Sequence, residues 1–391
     1  MSSTAAPLHH RGPVPPSADA PRPRPARLPL PPVGPAWFPA SMGTGILATL
    51  LGTYGAGGSL GGTDVGGVLT TLAVPMMVAG WLVLTVLVGG FAVRSVRHPG
   101  AFVATVRDPA VLPLWGTVSM GLLAVGAATL TVLPVLAPAA GTAAVVVDAV
   151  LWTLGTLLGV ATALGFGAVL VRQTALVPTP VWGLPIVPPM VSATTGALLV
   201  PHVPGAGGQF LLLLAAAACF ALALALGLVV FGVAYAHHWR VAPLPPAASA
   251  AAWIPLGIVG QSTAAAQVIA AQSGRFLTAP AALEAQRVAD GYGLVVLALG
   301  LPLVVWAALV TARGFLGRMP FTPGWWALTF PIGTLALGSH LLGAALTGAG
   351  GGAVGSVVTA YGWLALATLV CTWTLCSVAS LRAVVPLLTR P

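Results

Sequence analysis

Hydroxyl and amide side chains recur beside prolines and glycines in five apolar segments of this sequence, and they are the groups that could do chemistry. Such groups exchange hydrogen bonds without carrying charge, so they could replace part of the hydration shell of a dissolved ion or a neutral solute. Acidic side chains are almost absent from the same segments, which favours weakly held anions over cations. The candidate lining groups are Thr44, Thr117, Ser119, Ser192, Thr194, Gln261, Ser262, Thr329 and Thr334.

Residues 324–334 place a large aromatic ring among these groups. Two tryptophans at the start of this stretch suit a membrane–water interface. Phe330 directly precedes Pro331, which removes a backbone donor and is predicted to bend the helix. A ring beside a bent polar segment indicates a lined passage. A core phenylalanine packed beside a lipid-anchored bend explains the same residues equally well.

Each of the five segments carries the same pattern: an apolar residue or proline, then proline, then glycine and small hydroxyl residues. Smooth segments, by which we mean Leu/Val/Ala-rich segments without this pattern, alternate with them. Backbone groups freed at a proline need partners or water, so the patterned helices are expected to face a pore. A simpler interpretation is that the small residues only allow close helix packing, as in Gly155-xxx-Gly159. The predicted kink residues of the pore helices are Pro39, Pro113, Pro189, Pro255, Pro331, Gly43, Gly45, Gly116, Gly257 and Gly333.

The composition is that of a polytopic membrane protein. Of the 391 residues, 58% are hydrophobic and 5% are charged, whereas a soluble domain carries roughly 25% charged residues. A spanning helix needs about 20 mostly apolar residues. The sequence therefore predicts an all-α integral membrane fold of ten transmembrane helices in five hairpins, with five patterned helices inside and five smooth ones outside. The runs are 37–57, 68–93, 111–136, 143–171, 181–201, 209–236, 247–272, 290–312, 325–348 and 354–381.

The arginines predict the orientation. The net charge of +9 comes from arginine alone, because the sequence has no lysine. All arginines except Arg275 and Arg287 fall in the two termini or in the linkers on one side, which places both termini in the cytoplasm. Residues 1–36 are predicted to be a disordered Pro/Arg-rich tail, 37–382 the transmembrane domain and 383–391 a short cytoplasmic tail.

Ionisable residues are rare in the predicted spans. Asp148 and Asp290 are predicted at helix starts, where a carboxylate favours the helix dipole, and Glu284 is predicted in a loop. His340 lies deep in a span and is a candidate for proton-linked substrate binding, with a hydrogen-bonded packing residue as the alternative. Neither a metal site nor a cofactor is predicted. Enzyme motifs such as His-Glu-x-x-His, a P-loop lysine or a nucleophile elbow do not occur.

Two motifs give the chain a family resemblance. Residues 37–46, WFPASMGTGI, and residues 325–331, WWALTFP, resemble the tellurite-resistance/dicarboxylate transporter family over about residues 34–382. The resemblance implies five helical hairpins in a quasi-five-fold arrangement around a central pore, usually as a trimer with one pore per subunit. It also implies a gate, because the family's pore-occluding phenylalanine matches Phe330. The first motif is more similar to the malate and sulfite branch than to the plant guard-cell channels, whose long regulatory termini this chain lacks.

We therefore expect a plasma-membrane protein that moves small anions, above all C4-dicarboxylates such as malate, with lipid and further copies of itself as partners and no nucleic acid. A passive chloride or nitrate channel and a sulfite or tellurite exporter are alternatives within transport. A non-transporting membrane scaffold or sensor is the alternative from another class, and it predicts no substrate-dependent flux.

Overall fold

The structure is a computed structural model that describes residues 30–57, 59–60, 63–173, 175–350 and 352–388. Most of the predicted N-terminal tail, residues 1–29, therefore lies outside the described residues. In the described part the chain is helical apart from one antiparallel pair of two-residue strands, β1 (Ser59–Leu60) and β2 (Thr63–Asp64). The predicted all-α membrane fold is confirmed.

Nine helical segments of the described residues are long and apolar enough to cross a membrane. The first helix is a tenth long helix, 19 residues rich in glycine and hydroxyls. A short helix in the linker after the second run was not predicted. The helices are α1 (Pro39–Gly57), α2 (Gly66–Arg97), α3 (Gly100–Arg107), α4 (Trp115–Leu136), α5 (Gly141–Arg172), α6 (Val187–Leu199), α7 (Ala206–Arg240), α8 (Leu256–Ser273), α9 (Ala279–Leu316), α10 (Phe330–Gly348) and α11 (Gly352–Leu388).

Five of these helices form a closed ring, which we call the inner ring. Helix α1 packs on α4, α4 on α6, α6 on α8, α8 on α10, and α10 returns to α1. The outer helices α2, α5, α7, α9 and α11 each pack on the inner helix that precedes them, which gives five hairpins. This is the arrangement that the alternation of patterned and smooth segments predicts.

Burial separates the two sets of helices. In α4, α6, α8 and α10, 61–94% of the residues in an apolar stretch of 18 are buried, whereas in the outer helices the share is 22–33%. Most residues of α1 are buried as well. The outer helices expose Leu and Val side chains along their length. Lipid is the natural solvent for such surfaces, so the outer helices face the membrane.

Each inner helix begins with a short 3-10 segment. Four of the predicted kink prolines lie in this segment or in the first turn of the α-helix that follows, and Pro255 directly precedes α8, so none is in mid-helix as a kink would require. First-turn N–H groups have no intrahelical partner, so a proline there loses no hydrogen bond and presets the helical φ angle. The 3-10 segments are Pro35–Trp37, Leu112–Leu114, Pro180–Gly183, Pro246–Trp253 and Pro323–Leu328.

The predicted kink glycines act mostly through close approach. At Gly45 an added Cβ would lie 2.8 Å from the carbonyl carbon of Ala124, so the backbones of α1 and α4 nearly touch. Gly257 differs, because the nearest atom to its Cβ position is a Val187 methyl at 3.8 Å. Four glycines lie at contacts with a neighbouring part of the inner ring: Gly43, Gly45, Gly116 and Gly333.

Three acidic residues lie elsewhere than predicted, and one helix is longer than its apolar run. Helix α9 begins at Ala279, so Glu284 lies on a helix instead of in a loop, and Asp290 lies well inside that helix. Helix α5 begins at Gly141, which places Asp148 two turns inside it. Helix α11 continues to Leu388, beyond the apolar run that ends at 381. An apolar-run criterion stops where polar residues begin, whereas a helix can continue beyond the membrane.

Candidate functional site

A cavity of about 180 Å³ lies on the axis of the inner ring, at the end where the inner helices begin. All five inner helices contribute residues to its wall, and the wall contains no charged or hydroxyl side chain. The cavity has room for several water molecules or a small anion, but its wall is that of an apolar pocket. One lining residue from each helix is Met42, Met120, Val187, Gly257 and Phe330.

The position of Phe330 follows from the local chain. The 3-10 segment Pro323–Leu328 ends at Thr329, whose hydroxyl donates to the Trp326 carbonyl at 2.7 Å. Phe330 is the first residue of α10, and Pro331 behind it presets the helical φ angle. The ring is 3% exposed and takes part in none of the aromatic ring contacts among the described residues. Phe330 is therefore buried at the cavity wall without an aromatic pair among the described residues.

The predicted polar lining lies elsewhere in this structure. Three of the hydroxyls meet outer helices: Thr44 accepts from an indole of α11 at 3.0 Å, Ser119 donates to a backbone carbonyl of α5 at 2.6 Å, and Ser192 accepts from a hydroxyl of α5 at 2.9 Å. Four more donate to the carbonyl three residues earlier, at 2.7–3.5 Å. Those four are Thr117, Ser262, Thr329 and Thr334.

Packing chemistry explains these placements. A buried hydroxyl must find a partner, and in a helix the nearest free acceptor is a carbonyl one turn back or a group of the adjoining helix. The sequence pattern therefore marked the inner helices correctly, because only they carry so many buried hydroxyls. It did not show towards which side of each helix the hydroxyls point.

Gln261 and Thr194 are the last two predicted lining residues, and they are hydrogen-bonded to each other. The Gln261 Nε2 donates to Thr194 Oγ1 at 2.8 Å, which links α8 to α6 inside the inner ring. Gln261 follows Gly257 by one helical turn and so lies on the face of α8 that lines the cavity. Its Oε1 is buried and accepts no hydrogen bond from the described residues. The pair therefore adds an unsatisfied polar atom one turn beyond the cavity.

Residues 32–381 match the model of the voltage-dependent anion channel family (SLAC1). The chain belongs to this family. The family is the one that the motifs at 37–46 and 325–331 predict, so the predicted family and its coarse function, anion transport or channel activity, are confirmed. Comparison with curated proteins found no match.

His340 lies apart from the axis of this anion channel family member. Its ring packs against that of Tyr54 at a centroid distance of 4.2 Å, with the two planes tilted by 36°. Tyr54 in turn donates to the Ala336 carbonyl at 2.9 Å and packs edge-on against Trp363 of α11. His340 is thus part of a contact between α1, α10 and α11, and it does not line the Phe330 cavity.

Sequence reasoning missed two polar features of this family member. Asp148 is 1% exposed, and neither carboxyl oxygen has a hydrogen-bond partner among the described residues. Asp290 takes part in a hydrogen-bonded group with Gln267 and Gln286 beside a second cavity. The spacing of these two glutamines and Asp290 gave no signal, because α8 and α9 bring them together only in the folded chain.

Proposed function

We propose that this chain moves small anions along the axis of the inner ring and that Phe330 closes the axis. Membership of the anion channel family supports the transport of anions. The observation that carries the proposal is the Phe330 cavity itself. It lies where the starts of all five inner helices converge, and one aromatic ring stands in its wall.

The convergence of helix starts favours anions. Each helix N-terminus carries about half a positive charge from its aligned peptide dipoles, and the five inner helices begin around one cavity. The wall contains no carboxylate to offset this potential. An anion in the cavity would be stabilised by these backbone dipoles, while the apolar side chains would leave it weakly bound. Weak binding suits conduction, because a transported ion must also leave.

Phe330 is suited to gating. An apolar constriction excludes water, and a partly dehydrated anion crosses it at a high cost. The Phe330 ring has no aromatic partner among the described residues, so a rotation of the ring breaks no hydrogen bond and none of the aromatic pairs there. In the open state, Gln261 is the next polar side chain on the axis, and after an amide flip its N–H could face a passing anion.

C4-dicarboxylates such as malate are our leading substrate class, supported by the resemblance of residues 37–46 to the malate and sulfite branch. A sulfite or tellurite exporter shares that support. A passive chloride or nitrate channel is the second candidate, and the apolar cavity favours it. The wall offers no arginine that would bind a carboxylate in the bidentate manner typical of dicarboxylate sites.

The proposal includes the setting of the chain in the membrane. Arginines cluster at the end of the bundle where the inner helices start, which supports a cytoplasmic location for this end and for both termini. The membrane that we propose is the plasma membrane. We propose a homotrimer with one path per subunit, in keeping with the family resemblance. The Leu and Val side chains exposed on the outer helices supply surface for contacts with lipid or neighbouring subunits.

Flux in proteoliposomes tests the function. Purified protein is assayed in parallel with malate, sulfite, chloride and nitrate, and flux of at least one anion above empty liposomes is expected. Gly257→Leu should then reduce that flux at least tenfold, because the added side chain extends into the cavity. Gly89→Leu is the matched control: Gly89 is exposed on α2 with no atom within 4 Å of its Cβ position. Absence of flux for all four anions would favour a scaffold or sensor.

A further inference from the structure

A second cavity, which we call the distal cavity, lies at the other end of the inner ring and has a volume of about 740 Å³. Three of its apolar lining residues are Leu198, Val268 and Leu341. Each lies eleven residues, or three helical turns, beyond a residue of the same helix that lines the Phe330 cavity. The earlier residues are Val187, Gly257 and Phe330.

Eleven residues are close to a whole number of turns, so both cavities lie against the same faces of α6, α8 and α10. At 1.5 Å per residue, the two cavities are roughly 16 Å apart along the helix axes. On the proposed path the distal cavity is the mouth opposite Phe330, with a wall formed by α6, α8, α10 and the outer helix α9.

A carboxylate stands in the wall of this mouth. Asp290 Oδ1 accepts hydrogen bonds from Gln267 Nε2 at 3.0 Å and from Gln286 Nε2 at 2.9 Å. Gln286 Nε2 also donates to Gln267 Oε1 at 2.7 Å, so both N–H groups of that amide are engaged. Gln267 is 5% exposed, and the network fixes the carboxylate between α8 and α9.

Among the described residues Asp290 forms no ion pair. Its donors are neutral amides, which orient a carboxylate without neutralising it. Arg287 also lines the distal cavity, but among the described residues its ion pair is with Glu284, at 3.5 Å, and both side chains are 67% exposed. Helix α8 has no charged residue, and His340, the ionisable residue of α10, packs against Tyr54.

We propose that Asp290 is a specificity residue, which makes the distal mouth favour singly charged over doubly charged anions. The inference deepens the proposed function and rests on it. Repulsion between a fixed carboxylate and a passing anion is proportional to the charge of the anion, so a dianion meets about twice the barrier. Water in the mouth weakens the repulsion without abolishing it, because the carboxylate is partly buried. A dicarboxylic acid would then enter chiefly as its singly charged form.

The test compares two anions of one carbon skeleton, succinate and its monomethyl ester, at pH 7.4 in proteoliposomes. Asp290→Asn keeps the size of the side chain and removes its charge, so the ratio of succinate flux to monomethyl succinate flux should rise about tenfold. Asp290→Glu retains the charge and should keep the wild-type ratio. Asp148→Asn is the matched control, because Asp148 lies on α5 away from both cavities and the same change should leave the ratio unaltered.

A second measurement covers the case in which Asp290→Asn fails to fold. In wild-type protein, an impermeant salt that raises the ionic strength from 0.01 to about 0.15 M should screen the carboxylate and raise the same flux ratio. An unchanged ratio in folded Asp290→Asn, or in the wild type across this salt range, would overturn the role of Asp290 while leaving anion transport intact. Absence of flux for both anions, in wild type and in Phe330→Ala alike, would overturn the proposed function together with this inference.

Discussion

Phe330→Ala and Phe38→Ala are the same substitution at equivalent points of the repeat, and we expect opposite effects on transport. Both phenylalanines directly precede a proline at the start of an inner helix. Phe330 lines the axial cavity, whereas Phe38 is 1% exposed in a separate apolar cluster with Leu84 of α2 and does not line that cavity. The pair therefore separates loss of a gate from loss of a packed ring.

The structure gives the magnitudes. Phe38 is enclosed on all sides, so its truncation should cost about 3–5 kcal/mol, the usual range for a buried phenylalanine. Phe330 already borders a cavity of about 180 Å³, so its truncation enlarges existing space and should cost about 2–3 kcal/mol. Removal of the apolar plug should raise anion flux at least tenfold, which corresponds to a barrier lower by about 1.4 kcal/mol.

The assay measures nitrate and malate flux in proteoliposomes, with thermal unfolding in detergent as the measure of stability. The expected result is a large gain of flux with modest destabilisation for Phe330→Ala, and greater destabilisation without gain of flux for Phe38→Ala. An equal gain of flux in both variants would mean that loosened packing, not an opened axis, passes the anions. Unchanged flux in folded Phe330→Ala would refute the gate.

Three further substitutions test the close packing of the inner ring and the role of His340. Gly116→Ala should lower the free energy of unfolding by about 1–3 kcal/mol, because the added Cβ would overlap the backbone at Leu184 and Pro185. Its control, Gly89→Ala on the open face of α2, should raise helix stability by about 0.5–1 kcal/mol. Thermal unfolding of both variants measures the difference, and equal unfolding temperatures would contradict the close contact at Gly116. His340→Gln should abolish any dependence of anion flux on pH between about 5 and 8 if the imidazole couples protons to transport. A retained pH dependence would assign the ring to packing against Tyr54.

The helix bundle can be predicted from the sequence because the pattern that separates inner from outer helices lies within each segment. Proline, glycine and hydroxyls are costly beside lipid, so their alternation with smooth apolar segments already separates inner from outer helices. Phe330 could be singled out for a related reason, since its neighbours Thr329 and Pro331 define the start of an inner helix. Each of these inferences needs only residues close together in the chain.

The details of the site could not be predicted in the same way. The partner of Thr44 is Trp373, more than three hundred residues away, and nothing near either residue indicates the contact. Asp290 was placed at a helix start because the apolar run begins there, yet α9 begins at Ala279 and the carboxylate faces Gln267 of α8. Such pairings depend on helix rotation and length, which the apolar pattern determines only within a turn or so.

The two ends of the axis differ in electrostatics, and the difference follows from the direction of the inner helices. All five begin at the Phe330 cavity, so their positive dipole ends meet there, while the negative ends lie toward the distal mouth. Asp290 adds a full negative charge at that mouth. On the proposed path, the helix dipoles favour an anion in the apolar cavity, where the side chains bind it only weakly. At the distal mouth the carboxylate repels an anion, and the polar side chains there could select among anions. On this view Phe330 controls whether the path conducts, and Asp290 controls which charge of anion it conducts.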